Sequence, residues 1–517
     1  MKTKLSISVR KTIFGAAALC LLLLSSCTVG PKYHAPAVVA PPAYKESAPA
    51  AYSDALPGTW QPAKPQDAVL KGKWWEAFNE PELNSLEDQL NINNQNIAQY
   101  FQNFMAARAQ VGEARSQYFP TVTTDPSWTR NRIPSTLSST ATVTGKASTN
   151  TEVALPFDVS WEPDLWGRVR NTVREYRYAA QVSAADLENE RLTEQADLAV
   201  YYFELRGQDA LQDLYNRTIE ADRKSLELTQ TLVDTGIDSP EAVAQAEVTL
   251  ENAEEVGTGI AINRAIYEHA IATLIGKSAS ELSLPVKMLA TPIPAIPVGI
   301  PSELLQRRPD IAAAERTMAQ ANALIGVEKA AYYPNLTLTG GGGLEAAAIS
   351  KLFTGPALFW SLGASASETI FDAGLRKSTV AQYTATYNAD VAAYKETVLT
   401  AFQQVEDYIA TLRVNSQQIA RQDAAVKSAQ KYLNIATDRY KTGLDPYLDV
   451  ITAQTTLLSD QQTAVTLRVS QMTAAVQLIQ ALGGGWNTTQ LPTPAQVTQK
   501  AAEATEKAPP NQAASAP

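Results

Sequence analysis

Residues 391–440 decide the fold and read VAAYKETVLTAFQQVEDYIATLRVNSQQIARQDAAVKSAQKYLNIATDRY. Apolar, small or tyrosine side chains recur here at alternating spacings of three and four residues, which is the seam of a heptad repeat. The seam consists of Val391, Tyr394, Val398, Ala401, Val405, Tyr408, Leu412, Asn415, Ile419, Gln422, Val426, Ala429, Leu433, Ala436 and Tyr440. The pattern predicts one helix over about 376–441, which would be roughly 100 Å long at 1.5 Å per residue. Because the seam is small and mixed, it favours helices packed side by side in a wall; a plain coiled-coil rod is the alternative.

This helix belongs to the second of two copies of one unit, because matching residues recur at a constant distance along the chain. Pairs 207 residues apart are Arg206 and Arg413, Thr235-Gly236 and Thr442-Gly443, Ala246 and Ala453, Leu250 and Leu457, and Gly276 and Gly483. Pairs 214 residues apart are Asn96-Ile97 and Asp310-Ile311, Gly112 and Gly326, and Phe119-Pro120 and Tyr333-Pro334. The sequence therefore indicates an internal duplication.

Each copy has the same predicted order of elements. A helix (about 82–117, then 302–331) precedes an extended hairpin (about 118–163, then 333–371). A long helix (about 168–234, then 376–441), a turn and a final helix (about 240–276, then 447–482) complete the copy. We expect the first repeat to span 74–290 and the second 291–486.

The hairpins carry a second periodicity. Val153, Leu155, Phe157, Val159 and Trp161 alternate with smaller or polar residues, and residues 358–367 alternate in the same way. Such segments fit transmembrane β-strands, which need about 9–11 residues, and weaker partner strands are expected at about 119–129 and 333–343. A soluble hairpin with one buried face is the alternative. Since natural membrane barrels have at least about eight strands, four strands in a membrane require several chains to share one barrel.

The amino-terminal region has the order of a secretory signal. Basic residues precede an apolar run from Thr12 to Leu24, and Leu24-Ser25-Ser26-Cys27 resembles a bacterial lipobox. We expect a lipoprotein signal peptide over 1–26 and lipid attachment at Cys27; an ordinary signal peptide or an uncleaved anchor helix are the alternatives. In the lipoproteins that this signal resembles, Asp directly after the cysteine favours retention at the inner membrane. Residue 28 is Thr, so we expect the outer membrane. A lipid-anchored linker over 27–73 and a flexible tail over 487–517 are expected from their composition.

Composition excludes several classes of function. The formal charge is −10, and the signal carries Lys2, Lys4, Arg10 and Lys11 without an acid, so the chain from Cys27 onward carries −14. This acidity argues against nucleic-acid binding. With two His and two Cys in the whole chain, no His/Cys metal site and no Ser/His/Asp or Cys/His catalytic constellation is expected. We therefore expect neither an enzyme nor a cofactor.

Several motifs carry a resemblance to a known family. They are Cys27-Thr28-Val29-Gly30-Pro31-Lys32-Tyr33; Trp74-Trp75 with Phe78 and Pro81-Glu82-Leu83; Ile300-Pro301-Ser302-Glu303-Leu304-Leu305-Gln306-Arg307-Arg308-Pro309-Asp310-Ile311; Tyr333-Pro334-Asn335-Leu336; Phe371-Asp372-Ala373-Gly374; and Tyr440-Lys441-Thr442-Gly443. Together they cover the chain from Cys27 to about Trp486. The chain resembles the TolC-type outer-membrane efflux factors, in particular their lipoprotein branch, the OprM/NodT-like proteins.

The resemblance implies a mixed α and β fold of mostly long helices, assembled as a homotrimer. Three chains would form a periplasmic α-barrel and would each give four strands to a shared 12-stranded outer-membrane β-barrel. It implies a passive exit duct for small molecules, engaged by a periplasmic membrane-fusion adaptor and an inner-membrane pump of the RND type. Two alternatives remain: the outer-membrane component of a type I protein-secretion system, or a structural periplasmic coiled-coil lipoprotein.

The resemblance also places functional residues at the ends of the long helices. There, Gly236, Asp238, Gly443 and Leu444 would form the turns where the adaptor docks. The glycines also fit helix C-caps. Asp445-Pro446 fits an N-cap followed by proline at the first helical position, and Asp445 is a candidate for the gate as well.

Two further gate residues follow from the family pattern. Asp449 corresponds to the family's acidic ring, and Tyr440 corresponds to its tyrosine partner. Asp449 also fits a first helical turn, where a carboxylate is favoured by the helix dipole. Ala242 occupies the equivalent place in the first copy, and Thr452 replaces a second carboxylate of the family. We therefore expect one carboxylate ring per trimer from this position.

Overall fold

The computed structural model describes residues 28–37, 40–46, 72–134, 148–288, 293–294, 296 and 301–498. The predicted signal peptide (1–26) and the predicted lipid-attachment residue Cys27 lie outside the described residues. The structure comprises a single chain.

The described residues form eight α-helices and five strands. The helices are α1 (Pro81–Asn93), α2 (Gln95–Ser116), α3 (Arg168–Asp234), α4 (Pro240–Leu274), α5 (Leu304–Arg307), α6 (Pro309–Ala330), α7 (Leu375–Lys441) and α8 (Tyr447–Ala481). The strands are β1 (Thr121–Thr123), β2 (Ser127–Ile133), β3 (Ser148–Trp161), β4 (Asn335–Ala346) and β5 (Leu358–Ser367). The order of elements repeats, so the two halves of the chain have the same architecture.

The long helices α3 and α7 contain 67 residues each, which corresponds to about 100 Å at 1.5 Å per residue. On α7 the heptad seam faces the protein interior. Its buried members are Tyr394, Val398, Ala401, Val405, Leu412, Asn415, Ala429, Ala436 and Tyr440. Each long helix packs along the helix that follows it, α3 along α4 and α7 along α8. The result is two long helical hairpins.

The largest core lies where α1 packs on the middle of α3. Trp74, Phe78 and Phe203 are fully buried there, and the rings of Phe78 and Phe203 have centroids 5.0 Å apart. Beside them, the buried Arg206 guanidinium pairs with Glu82 at 2.7 Å and with Asp209 at 2.6 Å. Because these charges are removed from water, each depends on its partners. This centre fixes α1 and α3 relative to each other.

The strands form one antiparallel sheet in the order β1 and β2, then β3, β4 and β5. The partner of β3 was expected as one strand over 119–129, but it is split into β1 and β2 at Asp125-Pro126. Pro126 has no amide hydrogen to donate, which explains the break. The register is unchanged across it, since Val122 lies opposite Val159 and Trp128 lies opposite Val153.

The two faces of the sheet differ in chemistry. We call one of them the apolar face. It carries the even-numbered residues of β1, β2, β4 and β5 and the odd-numbered residues of β3, which the strand register places on the same side of the sheet. Trp360 and Leu362 on this face are 75% and 81% exposed in the protomer. We call the opposite face the acidic face, because its charged residues are Glu152, Asp158 and Glu345. An exposed apolar face with polar residues opposite is the pattern predicted from the sequence.

The segment after Cys27, which we call the strap (residues 28–37 and 40–46), was expected to be a linker. The described part of this predicted linker is bound to the helices, and residues 47–71 lie outside the described residues. The Val29 amide donates to the Trp166 carbonyl at 3.0 Å, and the Asn171 side chain donates to the Val29 carbonyl at 2.9 Å. Further along, Glu406 accepts hydrogen bonds from the backbone amides of Lys45 and Glu46. The strap therefore connects the junction of strands and helices with the middle of α7.

The start of the predicted flexible tail is also packed. Between Asn487 and Thr498 the chain forms two short 3-10 turns. Val497 is buried between α2 and α3, and the Gln181 side chain donates to the Pro492 carbonyl at 2.8 Å. Residues 487–498 of the predicted tail (487–517) are therefore laid on the helices, and residues 499–517 lie outside the described residues.

Candidate functional site at the helix tips

Both long helices end in the same turn. The Ile237 amide donates to the Leu232 carbonyl, and the Leu444 amide donates to the Arg439 carbonyl, each at 2.9 Å. With Gly236 at φ +75° and Gly443 at φ +70°, these are Schellman C-caps, in which glycine adopts the left-handed conformation at least cost. The exposed side chains of Ile237 and Leu444 form an apolar end on the two turns.

Tyr440 links the two repeats at these tips. Its hydroxyl donates to the Asp238 carboxylate at 2.7 Å and lies 3.2 Å from the Thr229 hydroxyl. Tyr440 is only 3% exposed. Burial, followed by the neighbouring Asp238 charge, raises the pKa of the Tyr440 hydroxyl, so it stays a hydrogen-bond donor at physiological pH. The structure thus brings together a predicted gate residue and a predicted docking residue.

An apolar cluster surrounds this hydrogen bond. Leu232, Ala242 and Ala246 of the first repeat pack against Tyr440, Tyr447 and Val450 of the second. The rings of Tyr440 and Tyr447 have centroids 5.2 Å apart, and the Tyr447 hydroxyl lies 3.1 Å from the Ser225 hydroxyl. The two hairpins are therefore in direct contact near their ends.

Asp445 does not cap α8 as predicted from the sequence. The helix begins at Tyr447 after Pro446, without a side-chain cap. Instead, the Asp445 carboxylate accepts hydrogen bonds from Arg439 Nε at 2.5 Å and Arg439 Nη2 at 2.8 Å. This pairing lowers the pKa of the Asp445 carboxyl. In the two-pronged geometry that a guanidinium allows, the pair closes the second tip turn.

Asp449 lies in the first turn of α8, as expected. Its side chain is half-buried in the protomer, and Ala242 at the equivalent place of the first repeat is buried in the tip cluster. Thr452 is exposed, and its hydroxyl donates to the Leu448 carbonyl at 2.8 Å. Of the predicted gate residues, Tyr440 is therefore bound to the first repeat, whereas Asp445 is bound within the second.

A groove of about 680 Å³ separates the two hairpins beside the tips. Helices α3, α4 and α8 line it, with Val248, Leu448, Ile451 and Leu458 among the apolar residues. Asp222 lies at its base and is only 4% exposed. Burial raises the pKa of the Asp222 carboxyl to about 6, because a charge is disfavoured away from water.

Sequence reasoning missed Thr229, Asp222 and Arg439 as parts of this site. They lie on the last turns of the long helices, where their residue types also suit a solvated surface. One signal was available: Thr218, Asp222 and Thr229 are spaced by four and then seven residues. This spacing places the three side chains on one face of α3, the face that packs. The structure was needed to identify the partners.

Within the described ranges, no helix combines the length and apolarity needed to cross a bilayer. In the same part of the chain, no group of three or more His, Cys, Asp or Glu is arranged to hold a metal ion.

Known proteins resemble this chain over most of its length. The family profile described as outer membrane efflux protein matches residues 86–277 and 300–484. The chain is 30% identical over 472 residues to the antibiotic efflux pump outer membrane protein ArpC of Pseudomonas putida, covering 91% of this chain and 95% of that protein. It is 30% identical over 501 residues to the outer membrane protein OprJ of Pseudomonas aeruginosa, covering 92% and 97%.

The fold agrees with these matches. The solved structure of the outer-membrane channel OprN has a TM-score of 0.80 at 28% identity, covering 89% of this chain and 100% of that one. The two matched segments of the family profile correspond to the two repeats, and the predicted fold class is confirmed. The chain therefore belongs to the outer membrane efflux protein family and is an outer-membrane channel protein of an efflux system.

Proposed function

We propose that the chain forms a homotrimeric exit duct that conducts small molecules passively across the outer membrane. The observation that carries this proposal is the division of the molecule into a sheet with an exposed apolar face and two helical hairpins of about 100 Å. Because β1 and β2 lie end to end beside β3, each chain would contribute four strands to a barrel. Four strands are too few to close a membrane barrel, so three chains would share one. A periplasmic adaptor and an inner-membrane pump of the RND type would supply the energy.

The test is oligomeric state together with conductance. The protein purified in mild detergent should be a trimer and should give ion current in planar bilayers. A monomeric, urea-soluble protein without conductance would instead support a structural coiled-coil lipoprotein. Identification of the pump by affinity purification of the assembled system distinguishes small-molecule efflux from type I protein secretion.

We assign the gate to the helix tips. Tyr440 holds the second hairpin to Asp238 of the first, and Asp449 would appear three times around the axis of a trimer. Three carboxylates within about 10 Å of one another repel, because water and salt only partly screen their charges. They also attract cations into the constriction. Release of the Tyr440–Asp238 hydrogen bond would let the hairpins separate, which is the opening step.

We assign adaptor docking to the groove between the hairpins and to the apolar turns at Gly236 and Gly443. An amphipathic helical hairpin of the adaptor fits such a groove, because its apolar face would cover Val248 and Leu448. Val248→Asp with Leu448→Asp should abolish capture of the adaptor while the trimer and its conductance persist. If the double variant captures as much adaptor as the protein without substitutions, the groove is not part of the docking site.

We further propose lipid attachment at Cys27, after removal of residues 1–26. Cys27→Ser should abolish incorporation of labelled palmitate and slow signal cleavage. The trimer should still remain in the outer membrane through its strands. A protein with a different cleavable signal and no Cys27 that is fully soluble in the periplasm would contradict the barrel.

A further inference from the structure

The charges on the sheet are separated by face. Glu152, Asp158 and Glu345 lie on the acidic face, where Glu152 is opposite Thr129 and Glu345 is opposite Ala154. Arg130 and Arg132 lie on the apolar face, because they follow Trp128 at intervals of two along β2. They are opposite Thr151 and Thr149, which carry no charge. The apolar face therefore ends in two basic residues on β2.

These arginines lie at the end of the sheet that is far from the helices. Trp161 of β3 is near the start of α3, and the strand runs from there back to Val153, opposite Trp128. At about 3.3 Å per residue, Arg130 is roughly 7 Å and Arg132 roughly 13 Å beyond Trp128 along the strand. Since the helices extend into the periplasm in this family, the arginines face the outer leaflet of the membrane.

Three arginines at the opposite end of the strands are each paired with a carboxylate. Arg168 pairs with Glu162 at 2.7 Å, Arg170 with Asp164 at 2.9 Å and Arg376 with Asp372 at 2.6 Å. Arg130 and Arg132 are exposed, and among the described residues no carboxylate lies within ion-pair distance of either. Two exposed guanidinium groups on an apolar face thus offer their donors outward.

We propose that Arg130 and Arg132 bind phosphate groups of the phosphorylated glycolipid that forms the outer leaflet of the outer membrane. The inference rests on the proposed location of the strands in that membrane. A guanidinium matches phosphate oxygens with two parallel hydrogen bonds, and Trp128 stands at the level where aromatic side chains mark the interface with headgroups. The acyl chains of the same lipid would cover the apolar face below, including Trp360 and Leu362.

Lipid, and not a soluble anion, fits the position. The two arginines continue a surface that is apolar from Trp161 to Val153 along β3, so a ligand that covers both parts must present apolar chains and phosphate together. A free phosphate would satisfy the guanidinium groups only. The chain from Cys27 onward has a formal charge of −14, so its overall field repels anions, and attraction must come from these local charges.

The experiment measures retention of purified lipopolysaccharide by the full-length protein in mild detergent, by native mass spectrometry. The test variant is Arg130→Gln with Arg132→Gln. The conservative variant is Arg130→Lys with Arg132→Lys, which keeps the charge. The matched control is Arg421→Gln with Lys427→Gln, which removes the same charge from exposed positions of α7. Chemically dephosphorylated lipopolysaccharide and millimolar inorganic phosphate serve as further probes.

We expect the test variant to bind lipopolysaccharide at least tenfold more weakly, the lysine variant to bind with intermediate strength, and the control to be unchanged. Dephosphorylated lipid should bind the unchanged protein as weakly as the test variant binds intact lipid, and inorganic phosphate should not compete. Equal binding by the test variant, or full competition by inorganic phosphate, overturns the proposal. Oligomeric state and conductance are measured on the same samples. If the protein without substitutions is neither trimeric nor conducting, the proposed exit duct itself is contradicted.

Discussion

The hydroxyl of Tyr440 donates a hydrogen bond to the carboxylate of Asp238 at 2.7 Å, and this bond joins the end of α7 to the turn between α3 and α4. The two residues are separated by almost a whole repeat along the chain. Because the bond crosses between the hairpins, the hairpins cannot separate at their tips unless it breaks. Tyr440 is buried in the tip cluster, whereas Asp238 is partly exposed on the turn, so the bond lies at the edge of that cluster.

Tyr440→Phe should therefore raise basal conductance without changing ion selectivity. A hydrogen bond to a charged group contributes about 1.5–3 kcal/mol, so the closed state should lose at least about a factor of ten in population. Single-channel recording measures open probability. Tyr432→Phe is the control, because Tyr432 is an exposed tyrosine of the same helix. Identical open probability in the two variants would show that Tyr440 does not hold the closed state.

Asp449→Asn should weaken block by divalent cations and lower cation preference. The reason is loss of one negative charge per protomer at the narrow end of a trimer. Reversal potentials and block by divalent cations in planar bilayers give the two readouts. Asp438→Asn removes the same charge from an exposed position on α7 and should change neither. Unchanged block in Asp449→Asn would leave that residue the role of a favourable charge at the start of α8.

Asp222 should make stability depend on pH. Its pKa is raised from 3.8 to about 6 in the folded protein, so the unfolded chain loses its proton first as pH rises. The protonated Asp222 carboxyl therefore contributes fully to the free energy of unfolding below about pH 4. This contribution is lost as the pH rises from 4 to 6. By linkage the loss is about 3 kcal/mol. Asp222→Asn should be more stable than the unchanged protein at pH 7.5 and equally stable at pH 3.5.

Denaturant unfolding of the detergent-solubilised protein at both pH values measures this difference. Asp234→Asn, a change at an exposed acid near the end of the same helix, serves as the control and should leave the pH dependence intact. A wild-type protein with equal stability at pH 4 and pH 7.5, after correction for that control, would contradict the burial of a titrating Asp222.

Gly326→Ala should loosen the strap. A Cβ at Gly326 would lie 2.5 Å from Asn171 Nδ2, the atom that donates to the Val29 carbonyl. Loss of that hydrogen bond, about 1 kcal/mol, should speed limited trypsin cleavage at Lys32 about fivefold. The repeat supplies the control: at Gly112, the equivalent of Gly326, a Cβ meets nothing within 4 Å. If Gly112→Ala and Gly326→Ala are cleaved at the same rate, the close approach does not hold the strap.

The long helices and the main strands could be predicted because their side-chain periods are written directly into the sequence. The seam from Val391 to Tyr440 has a period that only a helix satisfies, and Val153 to Trp161 has the period of a strand. The seam residues Val398, Ala401 and Val405 are fully buried, so the period also identified the packed face.

The strap, the tail and the role of Asp445 could not be predicted in the same way. The strap has no period, and its structure depends on partners such as Glu406, more than 300 residues away. For the tail, a single side chain, Val497, supplies the buried contact. Asp445 has the residue type of both a helix cap and an ion-pair partner, and only the position of Arg439 selects the pair.

The close packing of Thr28 on Gly167 has a consequence for how the protein is tethered. A Cβ at Gly167 would lie 2.7 Å from Thr28, so Thr28 is held against the place where the strands end and α3 begins. An acyl group on Cys27, the proposed attachment residue next to Thr28, would therefore enter the periplasmic leaflet of the outer membrane close to the junction of strands and helices. The lipid would set the depth at which each protomer rests before its neighbours arrive.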